Sequence, residues 1–426
     1  MNTNHRAFRA SITSTLLITA ALVAPSVSAT NGLFGLGYGA RQVGIAGSGV
    51  AFPQDPLIAA INPAGVVFLD KQTEINLQYF SPSREYTTSG AGPGLPIPGP
   101  TVESDSESFI IPSAGFSWPI SPDASIGLAL YGNGGMNTDY SSNNTPFGAG
   151  TFFGGHTGVD YAQVFANVNY SRKFADGKAS WGIAAVLNYS YLRMKGLSPS
   201  FNAASVDASN LSNEGYDHAF GVGLRVGVLG EVMPGLRLGA SYQSEIRNTF
   251  DDYRGLFAHK GEFYIPANAQ IGLAADIGPG VFTFDIQQIQ YSESDTIGNT
   301  STTILGGAPG GTDLLGDDVG FGWDNMTVYK AGYTWSENNG WTWRLGASYG
   351  EQPIPDSEVT FNIIAPGVIE HHYTAGFSKM LSNGNEVNVA FMYAPEKCVS
   401  GANLLNPANS DEICMDQFSV DVGMSF

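Results

Sequence analysis

Trp341-Thr342-Trp343-Arg344-Leu345-Gly346-Ala347-Ser348-Tyr349-Gly350 alternates without a break. In an extended chain Trp341, Trp343, Leu345, Ala347 and Tyr349 fall on one face and Thr342, Arg344, Gly346, Ser348 and Gly350 on the other, because successive strand side chains point to opposite sides. Leu236, Leu238, Ala240 and Tyr242 alternate with Arg237, Gly239, Ser241 and Gln243 in the same way. A period of two argues for a strand rather than an amphipathic helix. An apolar face ending in aromatic rings suits a wall that meets hydrocarbon outside and polar groups inside.

The pattern recurs along the chain. Fourteen such segments are expected, at 71–80, 107–117, 124–132, 158–173, 178–194, 216–232, 235–249, 260–276, 280–293, 324–337, 340–350, 369–382, 384–396 and 416–426. Their connections alternate between short turns, such as Met233-Pro234 and Asn338-Asn339, and long stretches at 81–106, 133–157, 195–215, 250–259, 294–323, 351–368 and 397–415. Tight turns on one rim and long loops on the other describe an outer-membrane barrel. The expected fold is therefore all-β, a 14-stranded antiparallel transmembrane β-barrel over residues 71–426. An even strand count places both termini in the periplasm. The stretch Phe418-Ser419-Val420-Asp421-Val422-Gly423-Met424-Ser425-Phe426 alternates to a terminal aromatic residue. It resembles the strand that outer-membrane assembly machinery reads.

Composition agrees. Charged residues are only 13% of the 426, against 54 glycines and 12% aromatics. A soluble surface usually needs about a quarter charged. Beyond the leader no apolar run reaches the roughly 18 residues of a membrane helix, so a closed barrel is the remaining way to span a bilayer with every backbone group paired. The formal net charge of −19 makes nucleic acid an unexpected partner. Residues 1–29 read as a signal peptide: Arg6 and Arg9, an apolar run from Leu16 to Val23, and Val27-Ser28-Ala29 before Thr30. Cys398 and Cys414, the two cysteines of an exported chain, are candidates for a disulfide closing one loop. Neither has a neighbouring ligand at zinc spacing, and no metal is expected.

Residues 30–70 do not alternate. They are rich in glycine, then in apolar residues and proline, and carry Phe34, Leu36, Ile45, Leu57, Ile58 and Val66. Such a segment suits a hatch inside the lumen better than a periplasmic tail, since this much apolar surface is unfavourable in water. Within it, Gly39-Ala40-Arg41-Gln42-Val43-Gly44-Ile45-Ala46-Gly47, then Asp55, then Asn62-Pro63-Ala64-Gly65, resembles the N-terminal hatch of the FadL family of transporters for long-chain fatty acids and aromatic hydrocarbons. Tyr242-Gln243-Ser244-Glu245 and Thr342 to Gly346 running to Pro353-Ile354-Pro355 agree with it.

The resemblance carries expectations. The hatch motif is Asn62, Pro63 and Ala64, with Leu33, Phe34 and Leu36 at the pocket. A hydrophobic cargo diffuses passively and leaves sideways at a kink in strand three, here Tyr131, Gly132, Gly134 and Gly135; a plain strand-to-loop transition is the competing reading. Loop 294–323, apolar at Leu314, Leu315, Phe321 and Trp323, is a candidate capture groove, or else a flexible loop. The two basic residues that hold carboxylates in the family fall near Ser198 and Trp323, neither of them basic. Arg193 and Lys195 lie near the first and are candidate head-group contacts, though at a strand end they suit lipopolysaccharide phosphates better. Burying ten methylenes contributes about 8 kcal/mol gross at roughly 0.8 each, while an unpartnered buried carboxylate costs several kcal/mol. The cargo is therefore expected to be neutral, or bound protonated or with its head group left in water, with neutral alkyl or aromatic compounds preferred over ionised fatty acids.

Arg225, Arg237, Lys330, Arg344, Asp285 and Asp421 are expected to face the lumen and pin the hatch. His371 and His372, adjacent on a strand, point to opposite faces and are not expected to share a metal. Gly35-Leu36-Gly37-Tyr38-Gly39-Ala40 matches a loosened dinucleotide fingerprint but lacks a surrounding βαβ unit. No Gly-x-Ser-x-Gly elbow is present. The chain thus reads as a non-enzymatic monomer without cofactors. Its expected partners are a hydrophobic small molecule and outer-membrane lipid and lipopolysaccharide. A structural or adhesive barrel and a polar-solute porin are the alternatives.

Overall fold

Fourteen antiparallel strands close on themselves in the computed structural model, which describes residues 31–92, 94–304 and 311–426. They are β1 (Gln72–Ser89), β2 (Phe109–Ser121), β3 (Ala124–Asn137), β4 (Gly158–Phe174), β5 (Ala179–Lys195), β6 (Asp217–Met233) and β7 (Leu236–Gln243). The other seven are β8 (Asn268–Ile277), β9 (Gly280–Ile289), β10 (Met326–Ser336), β11 (Trp341–Gly350), β12 (His371–Met380), β13 (Glu386–Ala402) and β14 (Ser410–Ser425). Each strand pairs with its sequence neighbours, and β1 pairs with β14 from Glu74↔Ser425 to Ser89↔Ser410. Closure removes the free edges that an open sheet would carry. A two-residue addition, Val102–Glu103, pairs outside this ring with Glu85 and Tyr86 of β1. The expected signal segment lies outside the described residues.

Alternation orients the wall. On β11, Leu345 is 52% exposed and Arg344 4%. Leu238, Val222, Ile271 and Phe391 project outward in the same way, toward what would be lipid. A shallow concavity on this outer wall, lined by Val228, Leu238, Ile271 and Phe284, belongs to the lipid-facing surface and leads to no interior site.

Several strand limits differ from those the alternation predicts. β1 continues to Ser89, β3 to Asn137 and β13 to Ala402, while β14 begins at Ser410. The connection expected over 397–415 thus shrinks to 403–409. Conversely β7 stops at Gln243 and β8 starts only at Asn268. Between them Ile246, Phe250, Phe263 and Ile265 are fully buried, tied by the bridges Ile246↔Ile265 and Thr249↔Glu262. Alternation persists there, but its apolar face packs into protein instead of lining the wall.

Residues 31–68 sit within the ring, and nearly every side chain is buried. The segment is folded into short turns: Ala40–Val43, and two 3-10 turns at Pro56–Ala60 and Pro63–Phe68, each begun by a capping side chain, Asp55 or Asn62, and a proline. Glycines on the lumen faces of the strands let its backbone come into contact. A Cβ at Gly227 would strike Asn62; at Gly182, Pro63 and Ala64; at Gly346, Ile45 and Ala46.

Candidate functional site

The Asn-Pro-Ala triplet acts as a lock between hatch and wall. Asn62, fully buried, donates from Nδ2 to the carbonyls of Val50 (2.7 Å) and Val228 (3.0 Å), and its Oδ1 accepts the Ala64 N–H (3.1 Å). Pro63 starts the turn without needing a donor. Asn169 donates to the Pro63 carbonyl at 3.3 Å and Ser180 to that of Ala64 at 2.7 Å. An apolar residue at 62 would remove both donor bonds of Asn62 and the acceptor for the Ala64 amide.

Charged lumen residues hold the rest of the hatch, as the alternation implied. Asp285 accepts the amides of Gly49 (2.6 Å) and Val50 (2.9 Å). Arg225 donates to the Ile61 carbonyl, Lys330 to the Leu36 carbonyl and Arg344 to Gln54 Oε1. Arg237 stands at the rim over the Phe52 ring, paired with Asp276 at 2.7 Å. Asp421 accepts from Asn76 and Gln78 within the wall rather than from the hatch. His372 faces inward, with Ser348 and Gln417 at its ring nitrogens, while His371 stacks outward between Tyr349 and Tyr373.

Strand three departs from regular pairing where the glycines cluster. Opposite β4, Gly132 faces Val164 and Gly134 faces Gln163, so Asn133 is an extra residue, a β-bulge. Opposite β2, pairing ends at Ser113↔Tyr131. Residues 109–112 of β2 are paired only with β1, and residues 132–137 of β3 only with β4. Pro112, which has no N–H to give a ladder, stands next to the last pair. A small polar cavity lies beside this gap, lined by Gln78, Ile111, Ser113, Tyr131, Gly132 and Asp421.

Hatch residues 33–38 run between that gap and the long loops. On the gap side Tyr38 packs against Tyr131 (4.2 Å between centroids), which meets Phe165 (5.6 Å). On the loop side the Leu33 amide donates to Tyr291 Oη at 2.7 Å, Phe34 packs on the same ring, and Tyr291 meets Trp323 at 5.0 Å. Residues predicted separately thus form two aromatic groups, one at each end of hatch residues 33–38.

The loop residues are placed differently from an open groove. Leu315, Phe321 and Trp323 are buried and only Leu314 is half-buried. Trp323 donates from its indole to Asn362 at 2.6 Å, and Phe321 packs on Phe361. They form an apolar cap over the lumen, as their size and apolarity favour. Arg193 and Lys195 share the outward face of β5 with Trp181 and Leu187. They pair with Asp160 (3.6 Å) and Asp139 (3.4 Å), and Arg193 lies over Tyr216, so neither reaches the lumen. Cys398 and Cys414 form a disulfide, not across a loop but directly across the β13–β14 ladder.

Some site residues were not anticipated. Asn133 and Tyr38 have no sequence signal beyond their neighbours. The stop in β2–β3 pairing has one, Pro112 inside an alternating segment.

The sequence matches, over residues 20–417, the family described as outer membrane protein transport protein (OMPP1/FadL/TodX). No curated protein sequence matches. Among solved structures, a FadL homologue of Pseudomonas aeruginosa superposes with a TM-score of 0.70 at 16% identity, covering 93% of this chain and 99% of that one. The P. putida toluene transporter TodX gives 0.65 at 16%, covering 92% and 98%. The Ralstonia pickettii toluene transporter TbuX gives 0.62 at 16%, again 92% and 98%. With a hatch locked by its Asn-Pro-Ala turn inside fourteen closed strands, and a family match over most of its length, this chain belongs to the OMPP1/FadL/TodX family of outer membrane transport proteins.

Proposed function

We propose that the protein admits hydrophobic small molecules across the outer membrane by passive diffusion, with exit sideways between β2 and β3. The observation that carries this is the pair of unpaired strand edges, 109–112 and 132–137, facing each other across the bulge at Asn133. An unpaired stretch in a barrel wall is costly in hydrocarbon unless it serves as an opening. A lateral route suits an apolar cargo, which passes into the bilayer without exposing its surface to water. The two toluene transporters of the same fold support this cargo class.

In this reading the apolar cap around Leu314, Leu315, Phe321 and Trp323 receives cargo from outside, and the segment around Leu33, Phe34 and Leu36 gives way to it. Tyr131, Gly132, Gly134 and Gly135 form the exit. Arg193 and Lys195 face lipopolysaccharide. The long loops lie outside, both ends of the chain lie in the periplasm, and the barrel works as a monomer without cofactor or catalysis.

The test is a sealed gate. Extending the β2–β3 register would place 112 opposite 132, so Pro112→Cys with Gly132→Cys should stop uptake of a hydrophobic carbon source when oxidised and restore it on reduction. A crosslink that forms without slowing uptake would sink the lateral route.

A further inference from the structure

Arg84 lies on the lumen face of β1, in its outer half, with 4% of its surface exposed. Its Nε and Nη2 atoms are buried without a hydrogen-bond partner, and it makes no ion pair among the described residues. The other buried lumen cations are all engaged: Arg41 with Glu386 and Ser425, Arg225 and Lys330 with hatch carbonyls, Arg344 with Gln54 and Ser378.

Among the described residues no acid stands within ion-pair distance of Arg84. Its guanidinium stands 5.9 Å from the centre of the Phe109 ring, and its register partner on β14 is Met415. Tyr140 donates to the Ile363 carbonyl (2.9 Å) and Tyr86 to Thr151 (3.0 Å), and neither oxygen accepts from Arg84 Nε or Nη2. Glu107, the acid that acts on Arg84 through space, is itself exposed and not within ion-pair distance. A buried guanidinium with free donors in an aromatic setting is unfavourable unless something brings it an anion. Its planar fork matches a carboxylate.

We propose that Arg84 receives the carboxylate of an anionic amphiphile, the head group of the cargo, in the upper lumen. This rests on the transporter reading and narrows its cargo. Phe109, beneath the guanidinium, is the first residue of β2 and opens its unpaired edge. A head group on Arg84 therefore sets the tail at the β2–β3 gap. The positive charge missing near Ser198 and Trp323 is supplied from a different strand, which reverses the expectation of a neutral cargo.

The experiment compares two probes of equal chain length, decanoate and decan-1-ol, bound to the purified full chain at about pH 8, where the acid is ionised. Variants are Arg84→Met and Arg84→Lys, each checked for folding by heat-modifiable gel mobility. Wild type should bind decanoate at least about tenfold tighter than decanol. Arg84→Met should remove that advantage while leaving decanol within about twofold, and Arg84→Lys should keep part of it. Equal binding of both probes by wild type, or decanoate binding untouched by Arg84→Met, overturns the assignment to Arg84 and leaves the transporter reading standing. A parallel loss of both probes in Arg84→Met assigns the residue a structural role and overturns it too. Failure of wild type to bind either probe overturns the transporter reading itself.

Discussion

Tyr38 donates a 2.6 Å hydrogen bond from Oη to Oδ1 of Asn133, so a hatch side chain holds the extra residue of the β3 bulge. The Gly35 amide donates to the Asn133 carbonyl at 2.7 Å, and Asn133 Nδ2 donates to Gln163 at 2.7 Å. Side-chain and backbone acceptors of the bulge residue are thus both taken by hatch residues 35–38. Moving those residues would free both oxygens of Asn133, so these bonds tie the hatch to the wall.

Tyr38→Phe should loosen this tie without unfolding the barrel. It leaves a buried amide oxygen unpaired, at a cost of about 1–3 kcal/mol, or roughly one to two powers of ten in the population with the hatch strand displaced. Hydrogen exchange of the 33–38 amides should accelerate by that factor while the β5–β6 ladder stays protected. Unchanged exchange at Gly35 would refute the coupling.

Asn62→Ala removes both donors from the Val50 and Val228 carbonyls and the acceptor for the Ala64 amide. At about 1 kcal/mol for each bond, the hatch should lose roughly 2–4 kcal/mol of its hold on the wall. The barrel ladders do not depend on this side chain, so heat-modifiable mobility should persist. Planar-bilayer recordings should show frequent large openings in the variant and few in wild type. Equally quiet traces would mean that the other hatch contacts suffice.

How much of this was legible in the sequence depends on how local each cause is. Leu345 outside and Arg344 inside follow from a period of two, a property of the backbone alone, so strand number and orientation could be read directly. The end of β7 at Gln243 could not, because Ile246 and Ile265 keep the same pattern while packing into the lumen, and only their partners tell wall from interior. Asn62 was visible through family resemblance, and its bonds explain why an Asn is needed there. The Asn133 bulge and the isolation of Arg84 are set by residues more than twenty positions away. The glycines from Gly132 to Gly135 marked that region through the resemblance, and Pro112 marked it as an imino acid inside an alternating strand.

A pH-dependent contact joins two of the long loops. His259 Nε2 meets Asp295 Oδ2 at 2.6 Å, and the hydrogen bond to Asp295 raises the imidazole above its usual range, with Glu262 and Asp318 adding negative charge nearby and slight burial opposing. A raised folded-state pKa means that the contribution is full below the unfolded value and is lost as pH rises through the folded one. Exposure to solvent keeps it small. Exchange at the 257–262 amides should therefore speed up as pH rises past that range, beyond the intrinsic pH dependence of exchange, and His259→Gln should abolish the excess. An excess that survives in the variant places the transition elsewhere.

The Cys398–Cys414 bridge closes a segment of sequence separation 16 across strands already in register. A bridge of that span restrains the unfolded chain by about 3 kcal/mol in the chain-entropy view. Its loss acts mainly at the outer ends of β13 and β14, since the β1–β14 ladder continues on the other side from Glu74 to Ser89. Cys398→Ser with Cys414→Ser should thus lower the temperature of the heat-mobility transition and speed proteolysis within 403–409. Uptake should be unchanged under the proposed exit between β2 and β3. If uptake falls in step with the transition temperature, the outer ends of β13 and β14 help shape the route that cargo takes.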